Sequence, residues 1–268
     1  MSTEVQIRQA ATVMLVRDGD EGLEVFMLRR NLNSDFVGGA YVFPGGAVDP
    51  DDSHRDLEAI CEGLSDAEAA TRLDLDPPTG GLAYWVAAIR ESFEEAGVLL
   101  AYTADGAIID LHDPATAERF VLHRKAVDSS ERSLFDVCVE EGLRLAVDGI
   151  QYFSHWITPE GPPRRYDTRF FVARAPERQS PLHDDRETIA NIWVRPSDAL
   201  DRHRRNELEL IFPTIRNLEA IADYRSADEL LEAAAKERNI AAVQPRIVMD
   251  ESGVRILIPG DPGYDEAG

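Results

Sequence analysis

Short apolar runs, each closed by turn residues, mark the first strands of the chain. Residues 10–16 are apolar and partly β-branched, and Asp18-Gly19-Asp20 separates them from a second apolar run at 23–28. Two such runs joined by a short turn predict a β-hairpin. A third run, residues 40–43, stops at Pro44-Gly45-Gly46, because proline and two glycines interrupt regular structure.

A different spacing begins near Leu82 and predicts a central helix. Its apolar positions recur every three or four residues and form one helical face: Leu82, Trp85, Val86, Ile89, Phe93 and Ala96. Gly97 follows at a position where helices often end in a left-handed residue. The preceding segment, residues 53–76, is acidic and rich in Ala and Leu, and its spacing also predicts helix up to a breaker at 77–81.

Farther along the chain, helical and strand patterns follow one another. Helices are predicted at 114–126, 134–142, 206–224 and 227–238, strands at 149–158, 169–173 and 188–194, and a small hairpin at 246–249 with 254–258. Pro213 predicts a kink or break in its helix. The order of elements predicts an α/β fold in which helices sandwich a mixed sheet. We predict one domain over residues 1–268, with 206–268 as a mostly helical C-terminal extension.

Charge narrows the range of partners. The chain has 28 Lys and Arg against 50 Asp and Glu, a formal net charge of −22, and such a surface repels the phosphate backbone of nucleic-acid polymers. A small phosphorylated ligand stays compatible, because local arginines or a bound cation can override the global field. The chain shows no apolar run near the roughly 20 residues of a membrane helix and no signal-peptide pattern, so we expect no membrane association and a cytoplasmic location.

Three carboxylates crowd one side of the central helix. Glu91, Glu94 and Glu95 stand at i, i+3 and i+4, so they project from a side largely opposite the apolar face. Mutual repulsion destabilises such a cluster and a divalent cation relieves it, and oxygen ligands of this kind suit Mg²⁺ or Mn²⁺. Because acidic clusters on helices are more often solvated faces, the neighbouring residues decide between the two interpretations.

The residues around the three glutamates favour a cation-binding site over a solvated face. Arg90 precedes Glu94 by four residues and can orient its carboxylate, and Gly97 can end the helix in a left-handed conformation. Gly45 and Gly46, after a strand, let the backbone approach the same cation or a phosphate closely. This combination is far less expected by chance than a pair of adjacent glutamates.

These residues resemble the Nudix box, G-x5-E-x7-R-E-U-x-E-E-x-G-U, in which U is a bulky aliphatic residue. The matching positions are Gly46, Arg90, Glu91, Glu94, Glu95, Gly97 and Val98. Ser92 stands at the first U, and Asp52 stands at the position of the first glutamate. The stretch between the two halves is about 30 residues longer than the pattern, and we interpret residues 53–81 as an insertion within the box.

The insertion and the lead-in FPGGAVD resemble one Nudix branch, the coenzyme A diphosphatase-like proteins described as nucleoside diphosphate-linked moiety X motif 19. Residues 25–46, 155–159 and 165–171 continue the similarity. The resemblance implies a Nudix α/β/α sandwich that hydrolyses a diphosphate linkage in a nucleotide-derived metabolite, with coenzyme A or acyl-coenzyme A as the best candidate. NADH, ADP-ribose and nucleoside triphosphates are alternative substrates, and a non-catalytic ligand-binding or regulatory module is a second alternative.

The same resemblance assigns the metal-binding and catalytic roles. Glu91 and Glu95 would be the principal metal ligands, Glu94 would support them or hold a second ion, and the Gly46 carbonyl would add a backbone ligand. The general base would be either a glutamate of the box or Glu187, which comes from a later loop. An ordinary loop position is an equally good interpretation of Glu187.

Cations are needed to bind the phosphates of such a substrate. Arg29 and Arg30 resemble the basic element that coenzyme A-type Nudix proteins carry upstream of FPGG, although both could be a solvated strand end. Arg164, Arg165 and Tyr166 are further candidates for substrate binding, beside Gly45. Nudix proteins are often dimers, so we also expect a homodimer as one option. The region after Asn206 is a candidate for its interface and equally a candidate for a cover over the core of its own chain.

Overall fold

The computed structural model describes residues 5–32, 38–184, 187–237, 239–250 and 253–267. The strands are β1 (Ile7–Gly19), β2 (Gly22–Arg30), β3 (Tyr41–Val42), β4 (Gly45–Ala47), β5 (Ala101–Tyr102), β6 (Arg144–Leu145), β7 (Ile150–Ile157), β8 (Arg165–Arg174), β9 (Thr188–Val194), β10 (Ala242–Val243), β11 (Arg246–Asp250) and β12 (Gly253–Leu257). The helices are α1 (Asp66–Arg72), α2 (Leu82–Ala96), α3 (Pro114–Asp128), α4 (Leu134–Glu141), α5 (Pro196–Arg204), α6 (Phe212–Ile221) and α7 (Ala227–Lys236).

The main sheet is mixed. Its order is β10-β7-β8-β1-β2, and β9 pairs with the outer side of β2. β1 runs parallel to β8 from Ile7 to Val16 and antiparallel to β2, with which it forms the predicted hairpin. Two further pairs, β5 with β6 and β11 with β12, lie outside this sheet.

The two strands of the first hairpin separate, and a short segment lies between them. β1 and β2 pair only from Val16 to Gly19. Beyond that point β4 pairs with β1 from Ala10 to Thr12, and β3 pairs with β2. Gly45 therefore lies in the middle of the sheet, where a Cβ atom would come within 2.4 Å of the Thr12 Oγ1 atom. The close packing of backbone here requires glycine.

Helices cover both faces of the sheet. Successive side chains of β1 point to opposite faces. Val13 and Leu15 join the apolar core formed with α2, α3 and α4, whereas Met14 and Val16 join the core formed with α5, α6 and α7. The result is the predicted three-layer α/β/α sandwich, with the carboxylate-bearing helix α2 on one of its faces.

Two stretches differ from the sequence pattern, namely residues 53–76 and the segment after β9. The helical pattern at 53–76 gives a 3₁₀ turn at Leu57–Ile60 and the short helix α1, which Ser65 caps. Leu57, Leu64 and Leu73 are buried, so their spacing reflects packing of a folded loop rather than one long helix. The helix α5 follows β9, in a segment for which the sequence pattern predicted no helix.

The region after Asn206 also differs from its pattern. The helix predicted at 206–224 is broken rather than kinked at Pro213, since α6 begins only at Phe212. Pro213 occupies the first turn of α6, where the N–H that proline lacks has no partner within the helix. Helices extend only to Lys236, and the strands β10, β11 and β12 follow. None of the helices in the described residues is long and apolar enough to cross a membrane.

The packing of α2 gives a stability prediction. Ile89 is fully buried under the sheet, whereas Leu122 on α3 is 64% exposed. We expect Ile89→Ala to lower the free energy of unfolding by about 2–5 kcal/mol, since it leaves a cavity. The control Leu122→Ala should change it by about 0.5 kcal/mol or less. Urea denaturation compares the two, and equal effects would contradict the assigned packing of α2.

Candidate active site

The site begins with a helix whose polar residues are almost as buried as its apolar face. On α2, Arg90, Glu91 and Glu95 are 7%, 9% and 8% exposed. The turn at Pro50–Ser53 and strand β4 lie against this side of the helix. Charged groups are costly to bury unless they are paired, so the arrangement of partners decides what this side of the helix can hold.

Arg90 joins the parts of the site together. Its guanidinium donates two hydrogen bonds to the Asp52 carboxylate, at 2.9 and 3.0 Å. It also donates to Glu91 at 2.9 Å, to Glu94 at 3.0 Å and to the Ala47 carbonyl at 2.8 Å. One planar group therefore ties two glutamates of the helix to the turn and to β4.

The glycine pair approaches the same carboxylates. The Gly45 N–H donates to the Glu95 carboxylate at 2.9 Å. At Gly46, a Cβ atom would come within 2.4 Å of the Glu91 Oε1 atom. Only glycine leaves room for the Glu91 carboxylate beside β4, which explains the residue type at this position of the box.

Burial raises the pKa of every acid in the cluster. Desolvation raises the pKa of Glu91 to about 8 and that of Glu94 to about 7, against the pull of Arg90. The pKa of Glu95 lies well above its usual range, because of desolvation and the neighbouring Glu91 charge. The pKa of Asp52 is also raised by desolvation, although Arg90 lowers it. The site holds more negative charge than its cationic partners neutralise.

A divalent cation fits this donor set. Glu91, Glu94 and Glu95 offer hard oxygen ligands on one helix, and their raised pKa values show that positive charge would stabilise their ionised forms. Elsewhere in the described ranges, potential ligand atoms of His123, Glu140 and Glu141 lie within 4.8 Å of one another. Arginine side chains already neutralise the two carboxylates of that group, since Arg119 pairs with Glu141 and Arg132 pairs with Glu140.

The end of α2 is held by a residue that the sequence pattern does not reveal. Gly97 has a left-handed conformation with φ of 66°, and its N–H donates to the Phe93 carbonyl, as predicted for a helix-ending glycine. Arg124 on α3 donates to the carbonyls of Glu94 and Glu95, both at 2.9 Å. Because Arg124 lies 29 residues beyond Glu95, no local spacing could have identified this contact.

The carboxylate cluster opens into a cleft of about 750 Å³. One part is lined by the glutamates of α2, the glycine pair and Arg30. The other part is apolar and includes Trp156, Phe170 and Phe212. The cleft therefore combines a charged end with an apolar end, and its volume suits a metabolite of cofactor size.

Strand alternation decides which predicted residues reach the cleft. On and before β8, Arg164, Tyr166, Thr168 and Phe170 line it, one residue in two. Arg165 lies outside it, and its Nε atom donates to the Thr158 carbonyl at 3.1 Å. The predicted basic element divides in the same way at the end of β2.

Arg30 lines the cleft and is close enough to Glu95 to lower its pKa. Arg29 lies outside it and donates to the Gly39 carbonyl at 3.3 Å. Glu187 lines the cleft, is exposed, and contributes to the raised pKa of Glu95. Asp185 and Arg186, which precede Glu187, lie outside the described residues.

The sequence also matches a known family. The family model for the NUDT19 Nudix domain matches residues 67–221, which is more than half of the chain. The chain belongs to the NUDT19 Nudix family. The match includes the second half of the box on α2 and extends through α6.

Relatives of the NUDT19 Nudix family support the same assignment. Acyl-coenzyme A diphosphatase NUDT19 of Gallus gallus is 28% identical over 97% of this chain and 80% of its own length. The Homo sapiens protein of that name is 27% identical over 92% of this chain and 73% of its own length. A solved NUDIX hydrolase from Alicyclobacillus acidocaldarius has 26% identity and a TM-score of 0.69, and the match covers 86% of this chain and 97% of that one.

These comparisons confirm three predictions: the Nudix superfamily, its coenzyme A diphosphatase-like branch and the Nudix fold. The predicted function, a Nudix diphosphatase, agrees with the names of the relatives. Nudix hydrolases generally need divalent metal ions, which is consistent with the acidic cluster on α2.

The raised pKa values predict how stability depends on pH without divalent ions. An unfolded glutamate loses its proton near pH 4.3, whereas folded Glu91 and Glu94 keep theirs to about pH 8 and 7. Between pH 5 and 8 the folded state binds more protons, so the free energy of unfolding falls as pH rises. Urea denaturation in EDTA should show this fall.

The double variant Glu91→Gln with Glu94→Gln serves as the control for this pH dependence, because glutamine does not titrate. We expect a flatter pH profile for this variant over the same range. A divalent cation should stabilise the unmodified protein more at pH 8 than at pH 5, since protons compete for the ligands. A free energy of unfolding that rises from pH 5 to 8 would contradict the assigned electrostatics.

Proposed function

We propose that this chain hydrolyses the diphosphate linkage of coenzyme A or an acyl-coenzyme A. The observation that carries the proposal is one cleft whose lining joins the box carboxylates, three arginines and an apolar region. The names of the relatives point to the same substrates. The products would be a phosphopantetheine, acylated or not, and adenosine 3′,5′-bisphosphate.

The box glutamates are proposed as the metal ligands. Glu91 and Glu95 would be the principal ligands of Mg²⁺ or Mn²⁺, with Glu94 in support and the Gly46 carbonyl as a backbone ligand. A bound cation of this kind neutralises charge on the diphosphate and lowers the pKa of bound water. Arg90, which is itself held by Asp52, donates hydrogen bonds that keep Glu91 and Glu94 in place. Gly97 ends the helix shortly after these glutamates.

Arg30 and Arg164 are proposed to bind the phosphates. Both line the cleft, and guanidinium groups suit phosphate oxygens because they donate parallel hydrogen bonds. The Gly45 N–H bonds to Glu95 beside them, and Tyr166 supplies a flat aromatic side chain in the same cleft. Arg29 and Arg165 are better assigned to structural contacts, since neither side chain lines the cleft and each donates to a backbone carbonyl.

Glu187 is proposed as the general base. It lines the cleft from the loop before β9, and its exposure leaves its carboxylate open to water. Glu187 would take a proton from the attacking water as the new P–O bond forms, while the bond from that phosphorus to the bridging oxygen breaks. A box glutamate is the alternative base.

The homodimer and the cytoplasmic location stay predictions from the sequence. The alternative substrates, namely NADH, ADP-ribose and nucleoside triphosphates, share the same diphosphate chemistry, so substrate identity needs a direct test.

Product analysis by chromatography tests the substrate. The protein is incubated with Mg²⁺ or Mn²⁺ and with coenzyme A, acetyl-coenzyme A, NADH, ADP-ribose or dGTP. We expect adenosine 3′,5′-bisphosphate from the two coenzyme A compounds. Turnover of another compound alone would reject the coenzyme A assignment and keep the diphosphatase. Turnover of none would favour a non-catalytic binding module.

Glutamine variants test the assigned roles. We expect Glu95→Gln to lower kcat at least about a hundredfold, because it removes a metal-binding charge. Glu187→Gln should lower kcat about a hundredfold or more if Glu187 is the base. The matched control is Glu118→Gln, at an exposed position of α3, which should keep activity. Circular dichroism checks folding, and full activity in Glu95→Gln would reject the metal site.

A further inference from the structure

The hairpin of β11 and β12 carries an apolar face. Ile247 lies directly across from Ile256, and Met249 lies across from Val254. Because side chains alternate along a strand, these four residues share one face of the hairpin. They are 42%, 40%, 79% and 64% exposed, in the order Ile247, Ile256, Met249 and Val254. Such a cluster of exposed aliphatic side chains commonly marks a binding surface.

The inner end of this face belongs to the cleft of the proposed active site. Ile247 and Ile256 line that cleft together with Pro245, beside the apolar residues of the main body. Trp156 and Phe212 form part of the same apolar region and pack edge to face, with ring centroids 5.9 Å apart. The apolar end is therefore built from both the sandwich and the hairpin.

Contacts at its base hold the hairpin in this position. β10 pairs with β7 beside Trp156, which fixes the chain just before Pro245. Arg246 donates to the Tyr264 carbonyl at 2.6 Å, and the Tyr264 hydroxyl donates to the Gln244 carbonyl at 2.7 Å. Leu257 is buried at the other end of the hairpin base. Ile247 and Ile256 are thus placed at the cleft by the fold rather than by an extended tail.

We propose that the inner end of the apolar face of β11 and β12, formed by Ile247 and Ile256 at the cleft, binds the acyl chain of an acyl-coenzyme A. This inference rests on the proposed function, because the diphosphate must lie at the carboxylate end of the same cleft. The hairpin face carries no aromatic ring and no hydrogen-bonding group in its four residues, so it matches an aliphatic chain and not a nucleobase. The hairpin is a specificity element and takes no part in bond cleavage.

Binding measured without turnover tests the acyl-chain site separately from the reaction. Isothermal titration calorimetry in EDTA compares coenzyme A with octanoyl-coenzyme A. We expect the unmodified protein to bind octanoyl-coenzyme A at least about tenfold more tightly, because apolar surface is removed from water. Equal affinities would overturn the hairpin proposal, even if both compounds are hydrolysed when a divalent cation is added.

Variants locate the effect on the hairpin. In the double variant Ile247→Ser with Ile256→Ser, the affinity ratio between the two ligands should fall to about threefold or less. The affinity for coenzyme A itself should stay within about twofold. The control Met249→Ser changes the same face outside the cleft and should keep the tenfold ratio.

Activity then separates the two proposals. With Mn²⁺ present, the double variant should raise the KM for octanoyl-coenzyme A at least about threefold more than the KM for coenzyme A. An unchanged affinity ratio in the folded double variant would overturn the acyl-chain site. Absence of hydrolysis in the unmodified protein, with the acyl-dependent binding intact, would reject the proposed reaction and keep the binding site.

Discussion

The arrangement of the site depends on one buried guanidinium. Four acids, Asp52, Glu91, Glu94 and Glu95, lie within the same region, and Arg90 bonds directly to three of them. Removing a partner from a buried ion pair leaves an uncompensated charge, which is strongly destabilising. Arg90 therefore does more than orient a glutamate: it joins the turn before the insertion to the helix after it. The two halves of the box act as one unit although 37 residues separate Asp52 from Arg90.

That connection explains how the box accepts extra chain. Asp52 is the last position before the insertion, and Arg90 lies on the helix that follows it. The two hydrogen bonds between them hold together the two ends of the chain segment that contains residues 53–81. The entropy of closing a loop grows only slowly with its length. The inserted residues also pack: Leu57, Leu64 and Leu73 are buried in the core beside α2. A longer loop at this point thus changes the surface around the site without changing the contacts inside it.

Local patterns predicted the parts of the fold that depend on local physics. The first hairpin, the apolar face of α2 and the left-handed Gly97 follow from spacing and from the freedom of glycine. Long-range contacts could not be predicted from local patterns. Examples are the hydrogen bonds of Arg124 to the end of α2 and the position of the Ile247 and Ile256 side chains in the cleft. The choice between Arg164 and Arg165 required the register of β8, because adjacent residues face opposite sides of a strand.

The position of the glutamates along α2 has an electrostatic consequence. The peptide dipoles of a helix sum to roughly half a negative charge at its C-terminal end. Glu94 and Glu95 belong to the last turn of α2, and Glu91 to the turn before it. A cation attracted to these carboxylates therefore also lies near the negative pole of the helix, whose effect adds to that of the side chains. At the opposite end of α2 the positive pole of the dipole would stabilise the carboxylates but repel a cation, so the direction of the helix is itself part of the field that a cation experiences.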